Sequence, residues 1–254
     1  MKFAGLLRFG LAAVVGAVVG GKACAADTNI AVAANFTDAA KEIAAAFKQR
    51  TGHQAVLSFG SSGQLFTQIT QDAPFQIMLS ADEARPTKLI ADGLGVAESR
   101  FTYAIGKLVL WSRTRDFVKG EGTLEKGAFA NLAIANPAAA PYGAAAVETL
   151  KALKVFAPLK SKIVQGNNIA QTFQFVDTGN AELGFIALSQ IAGEPAGSRW
   201  VVPQTLYTPI KQDAVLLKKG ADNAAAAAFL AFLKGPEPRA IIEKFGYGVD
   251  ASRS

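Results

Sequence analysis

An α/β fold in two lobes is what this sequence predicts, and three observations carry that expectation. Short apolar runs rich in β-formers alternate with longer stretches of helical periodicity, the pattern of βαβ units and mostly parallel sheet flanked by helices. The alternation breaks twice, near 103–106 and near 202–208, where Pro203 and Pro209 interrupt strand pairing. No long Pro/Ser/Gly linker and no fixed-period repeat divides the chain, so two lobes must be joined by strands or short segments. The expected division is 27–105 with 208–254 for one lobe and 106–207 for the other.

The run 29–33 (NIAVA) reads as the first strand. Helix 37–50 follows, with Ala40, Ile43, Ala44 and Phe47 at helical spacing and Lys41, Glu42, Lys48 and Gln49 opposite, so it should cover one sheet face. Gly52 ends it. Strands 54–59 (QAVLSF) and 76–80 (QIMLS) continue the rhythm with helices 63–71 and 83–92. In the middle of the chain stand strand 107–112, strand 132–135 with helix 143–153, strand 162–165 with helix 169–178, and strands 183–187 and 199–202. Strand 214–218 (AVLLK) precedes helix 221–233, whose stretch 224–232 (AAAAAFLAF) is apolar around its circumference and belongs between packed layers. Lys234-Gly235-Pro236 stops it, and helix 238–245 closes the series.

A chain of 254 residues with 50% hydrophobic and 18% charged residues is globular in composition. Its net charge of +6 is misleading. Lys2 and Arg8, the uncharged run 10–21 and Ala23-Cys24-Ala25 make residues 1–25 a secretory signal peptide. Taking its three bases from the 26 leaves 23 against 20 acidic residues, a net charge of +3. The remaining bases are scattered, with Lys218-Lys219 the densest pair, so nucleic-acid binding is not expected. Cys24, the only cysteine, sits at the cleavage site, and the aliphatic residue that precedes a lipidated Cys by three is missing. Beyond the signal no apolar run approaches the roughly 18 residues that a membrane span needs, so a mature protein of about 228 residues, soluble outside the inner membrane, is expected.

Four strand-to-helix junctions share a character: 33–37 (AANFT), 59–63 (FGSSG), 136–143 (NPAAAPYG) and 166–169 (GNNI). Each places small, hydroxyl or amide residues where a helix begins. Free N–H groups on the positive end of a helix dipole favour an anion there, and in open α/β sheets ligands gather at such strand ends. Taken singly, each junction reads first as an ordinary N-cap, and Asn168 with Gln171 makes a capping box. The set, two from each lobe, is more informative than its members. A fifth junction, Ser80-Ala81-Asp82-Glu83, carries two acids that would repel an anion and is read as structural.

Enzymatic readings find little support. His53 is the only histidine and is expected to be an exposed structural residue. Gly60-Ser61-Ser62-Gly63 is one residue short of a nucleophile elbow, and no histidine follows it. The phosphate-loop-like GAVVGGK falls inside the signal segment, and no metal or dinucleotide motif is present.

The segments AVAANFTDAAKEIAAAFKQRTGHQAVLSFGSSGQLFTQI, QIMLSADE, NPAAAPYGAAAVETL, QGNNIAQTFQFVDTGNAELGFIALSQI, YTPIKQDAVLL and FLAFLKGPEPRAIIEKFGY resemble the periplasmic molybdate-binding proteins of ABC importers, in order and over nearly the whole mature chain. The resemblance implies a two-lobed periplasmic-binding-protein fold that closes on molybdate or tungstate without chemistry. It implies no cofactor and no metal held as a bare cation, a membrane permease as partner and a monomer. By position it assigns the oxyanion contacts to Asn35, through its side-chain amide and main-chain N–H, and to Ser62, through its hydroxyl and N–H. It adds the main-chain N–H groups of Tyr142 and Ile169, with Ser61 as a neighbour. Many relatives carry Ser where this chain has Asn35, and Tyr where LGFIA places Ala187.

None of the four junction sites holds Asp or Glu, so a fully deprotonated oxyanion is favoured unless Asp38 turns inward. Monohydrogen phosphate would leave its O–H unpartnered, at about 1–3 kcal/mol. The alternatives are a binding protein for sulfate or another oxyanion, a secreted serine hydrolase using Ser61 or Ser62 with His53, or an adhesion module.

Overall fold

The computed structural model describes residues 25–193 and 196–249. The expected signal segment, Ala25 apart, lies outside the described residues, as does Cys24. The described chain contains strands β1 (Asp27–Ala33), β2 (Gln54–Gly60), β3 (Ile77–Leu79), β4 (Phe101–Gly106), β5 (Leu108–Ser112), β6 (Leu132–Ala135), β7 (Ile163–Gly166), β8 (Leu183–Ala187), β9 (Ser198–Val201) and β10 (Ile210–Leu216). Its α-helices are α1 (Thr37–Thr51), α2 (Ser62–Thr70), α3 (Ala84–Ala91), α4 (Gly122–Lys126), α5 (Pro141–Ala152), α6 (Phe156–Leu159), α7 (Ile169–Asp177), α8 (Ala224–Leu233) and α9 (Pro236–Lys244).

The strands form two five-stranded sheets, β2-β1-β3-β10-β4 and β7-β6-β8-β5-β9. Each anchors one lobe. In the first, β1 runs parallel to β2 and β3, while β10 is antiparallel to β3 and β4. In the second, β6 runs parallel to β7 and β8, while β5 is antiparallel to β8 and β9. The sheets are therefore mixed. The chain leaves the first sheet from β4 into β5 and re-enters it on β10, and an outgoing and a returning strand side by side must be antiparallel.

Alternation along β1 shows how the first sheet is covered. Ile30 and Val32 face Phe36, Ile43, Phe47 and Phe229, beneath α1 and α8. Ala31 faces Leu65, Ile69 and Leu89 on α2 and α3. Both faces are buried, as strands with helices on either side require. In the second sheet Leu108 and Leu110 pack with Ala146 and Leu150 of α5, while Val109 and Trp111 pack with Val176 of α7. The first of these clusters continues into Ala33, Ala34 and Ala81 of the other lobe, so apolar contact is unbroken across the cleft.

Several elements depart from expectation. β4 is a full strand where a bare crossing was expected, and β10 begins at Ile210, directly after Pro209, rather than at 214. A proline at a strand's mouth costs no ladder bond. α5 starts at Pro141, two residues early, because proline at the first helical position lacks only an N–H that has no helical partner anyway. α8 does not lie between layers: Ala225, Ala226, Phe229, Leu230 and Leu233 are buried, while Ala224, Ala227 and Ala231 face solvent. Alanine satisfies helix propensity there and exposes little apolar surface. α5 crosses close over β6 at Gly143, where a Cβ would stand 2.1 Å from the carbonyl oxygen of Ala135.

Candidate functional site

Parallel register brings strand ends together in pairs. Ala33 at the end of β1 is matched with Gly60 at the end of β2, and Ala135 of β6 with Gly166 of β7. The helical turns that follow these strands meet across the cleft. Asn35, Ser61, Ser62, Tyr142 and Ile169 all line one small cavity, whose remaining wall is Ala33, Ala34, Ala81, Ala140 and Pro141. It is small, about 10 Å³, with room for about one water-sized sphere. No residue of its wall is charged.

Main-chain donors converge there by helix geometry. Ser62 is the first residue of α2 and Ile169 the first of α7, with Asn168 as N-cap. In α5 Pro141 occupies the first position and offers no N–H, so Tyr142 is its first donor. Asn35 sits in a short 3₁₀ turn, Ala34–Phe36, between β1 and α1. The Ser62 hydroxyl accepts from the N–H of Ala81 at 2.9 Å, which leaves its own hydrogen to be donated. The 80–83 junction thus has a part at the site, supplying a wall residue and fixing this hydroxyl.

Asn35 behaves differently from its sequence-based expectation. Its amide nitrogen donates to Gln212 Oε1 at 2.8 Å and to the Tyr247 hydroxyl at 3.0 Å. Both amide hydrogens are therefore used inside the protein, and the main-chain N–H is what Asn35 has to offer. A buried polar network surrounds it. Gln212 Nε2 donates to the Tyr142 hydroxyl at 3.3 Å, and the Tyr103 hydroxyl donates toward Gln212 Oε1 at 3.1 Å. Burial pushes the phenols of Tyr103, Tyr142 and Tyr247 above the ordinary tyrosine value, and neighbouring phenols and carboxylates add to the rise. These groups stay neutral at physiological pH. Sequence reasoning missed Gln212, Tyr103, Tyr247 and Ser189. The available signal was the polar pair Gln212-Asp213 directly ahead of the apolar run 214–217, since a buried polar residue is the informative exception.

Ser61 is a helix cap. Its hydroxyl donates to Gln64 Oε1 at 2.9 Å and accepts from Gln64 N–H at 3.3 Å, and its own N–H also points to that side chain. Asn168 accepts from Gln171 N–H at 2.9 Å, although the return bond goes to Asn167 rather than Asn168. His53 is buried, not exposed, accepting from Ala26 N–H through Nδ1 at 3.1 Å. It precedes β2 while Ser61 follows it, and seven residues at about 3.3 Å each put roughly 23 Å between them. No serine–histidine pair can form. Asp38 faces solvent beside Lys41, 3.6 Å away. Ala187 is fully buried, and its N–H is taken by Gln190 Oε1.

A family model described as bacterial extracellular solute-binding protein matches residues 28–248. The chain belongs to that family. This solute-binding protein is 54% identical to the molybdate-binding protein ModA of Rhodobacter capsulatus, over 89% of each chain. It is 52% identical to the ModA of Azotobacter vinelandii, over 89% of this chain and 91% of the relative. Among solved structures it is similar to the Azotobacter vinelandii periplasmic molybdate-binding protein, with a TM-score of 0.85, 40% identity and coverage of 88% and 99%. In this solute-binding protein the two lobes meet in hydrogen-bonded contact around the cavity. Gly63 N–H donates to Ala139 O at 2.9 Å, and Ser189 Oγ donates to Asn35 O at 2.8 Å.

Proposed function

We propose that this protein captures molybdate outside the cytoplasm and delivers it to the membrane permease of an ABC importer, acting as a binding protein and not as an enzyme. The observation that carries the reading is the meeting of four helical turns, two from each lobe, on one small uncharged cavity. The names of the relatives at 54% and 52% identity support the same cargo. Peptide N–H groups at helix starts hold an anion without a fixed positive charge, which favours release as well as capture.

In this reading the anion is held by the main-chain N–H groups of Asn35, Ser62, Tyr142 and Ile169 and by the Ser62 hydroxyl, with Ser61 fixing the start of α2. Tungstate, of the same shape and charge, is a second cargo. The lobes divide as 27–105 with 208–254 and 106–207. The protein acts as a monomer in the periplasm, without nucleic acid, after removal of residues 1–25. An anion bridging both lobes favours the closed arrangement because it gains contacts there that the open one lacks.

Isothermal titration with molybdate, tungstate, sulfate and phosphate tests this. Molybdate and tungstate should bind with similar affinity and phosphate should give no heat, because the wall holds no carboxylate to accept its proton. Tighter binding of sulfate than of molybdate would overturn the assignment.

A further inference from the structure

The turn before α5 is held by the opposite lobe at two successive carbonyls. Within the turn, Asn136 binds its own neighbours. Its Oδ1 accepts from Ala138 N–H at 3.0 Å, and its carbonyl accepts from Ala139 and Ala140 N–H at 3.1 and 2.8 Å. The N–H groups of Ala138, Ala139 and Ala140 are thereby used internally, while the carbonyls of Ala138 and Ala139 point outward to the first lobe. Ala139 O accepts from Gly63 N–H at 2.9 Å, and Ala138 O accepts from Arg85 Nη2 at 3.1 Å. Arg85 does not reach across alone: its other guanidinium nitrogen is gripped by Asp82, whose second oxygen accepts from Arg85 N–H at 2.9 Å. Solvent-open clefts of about 730 and 590 Å³ lie on either side, and Arg85 lines both.

We propose that Gly63 and Arg85, with Asp82 as orienter, form a closure clasp on the Ala138–Ala139 turn that sets how slowly the anion leaves. The inference rests on the oxyanion-binding reading and extends it to residues outside the cavity wall. The turn lies immediately before Ala140, Pro141 and Tyr142, all of which line the cavity, so whatever holds it holds the first turn of α5 over the anion. In an open form, water would satisfy the same carbonyls and donors, so the clasp is close to neutral for the empty protein. Once the anion has drawn the lobes together, the clasp must break before it can leave.

Glycine at 63 is what allows the approach. A Cβ there would stand 2.9 Å from Ala139 Cα, 3.0 Å from Ala139 O and 3.1 Å from Arg85 Nη2. Gly63 is the second residue of α2, where alanine suits the helix. Gly63→Ala should therefore obstruct closure while leaving the separate lobes sound.

The test compares wild type, Gly63→Ala, Arg85→Ala and Arg85→Lys. Molybdate association and release are followed by stopped-flow tryptophan fluorescence, and each ligand-free protein is melted by calorimetry. Release should quicken about tenfold in Arg85→Ala, the size of one charge-assisted hydrogen bond, and at least as much in Gly63→Ala, with association and ligand-free melting unchanged. Arg85→Lys, which keeps the charge but loses the fork that Asp82 orients, should release nearly as fast as Arg85→Ala. Wild-type release rates in both Gly63→Ala and Arg85→Ala, or a wild-type rate in Arg85→Lys alone among the Arg85 variants, would overturn the clasp. Failure of the wild type itself to bind molybdate would overturn the reading beneath it.

Discussion

Ser189 of the second lobe donates its hydroxyl to the main-chain carbonyl of Asn35 in the first, 2.8 Å away. Tyr247 donates to the same oxygen at 2.6 Å and lies 3.0 Å from the Ser189 hydroxyl. The turn that carries the Asn35 N–H is thus held from behind, partly by the opposite lobe, which in the proposed cycle moves away on release.

Ser189→Ala should weaken the closed form by about 1 kcal/mol, roughly a fivefold loss of molybdate affinity, while Tyr247 still satisfies the carbonyl. Titration calorimetry checks the affinity. A ligand-free melting temperature within a few degrees of wild type is expected alongside it.

Ser62 and Asn35 should separate binding from folding. Ser62→Ala removes the proposed hydroxyl donor to the anion and an acceptor for Ala81 N–H, so affinity should fall about tenfold with at most roughly 1 kcal/mol lost from the ligand-free fold. Asn35→Ala strands Gln212 and Tyr247 in a buried network and should cost about 1–3 kcal/mol in urea unfolding, besides any loss of binding.

Gly143→Ala is expected to damage the second lobe itself. The new methyl would stand 2.1 Å from the Ala135 carbonyl, and α5 cannot retreat without unpacking Ala146 and Leu150. Overpacking of this kind costs about 1–3 kcal/mol or more, seen as a depressed melting temperature before any ligand is added.

Alkaline pH should destabilise the protein through its buried phenols. Burial raises Tyr103, Tyr142 and Tyr247 in the folded state, so above about pH 10 the unfolded chain has lost protons that the folded one retains. Stability is then full below about pH 9 and falls as pH rises, by up to about 1.4 kcal/mol per pH unit for each such group. Denaturant titrations between pH 8 and 11 should show this fall, with a shallower slope in Tyr247→Phe.

The sheet strands and the cavity residues were legible because their signals are local. Apolar runs of strand length marked β1, β6 and β8, and the small or hydroxyl residues at 33–37, 59–63, 136–143 and 166–169 marked helix starts. What escaped depends on contacts distant in sequence. Asn35 meets Gln212 across 177 positions and Tyr247 across 212, and no periodicity records such a meeting. The Asn35 amide looked available because its partners lie at the far end of the chain. Ser80-Ala81-Asp82-Glu83 looked purely structural because its acids are repulsive to an anion when considered alone. In the fold Asp82 faces Arg85, and Ala81 faces the cavity.

Pro141 at the head of α5, with alanines around the cavity, has a consequence for anyone wishing to retarget the protein. The proposed donors are mainly peptide groups, which every amino acid carries, so exchanging side chains leaves them in place. A different cargo would call for altered spacing among four helix starts, set by the two sheets and the loops that join them. Redesign would have to act on loop length and backbone path, with residue identity at the wall a secondary variable.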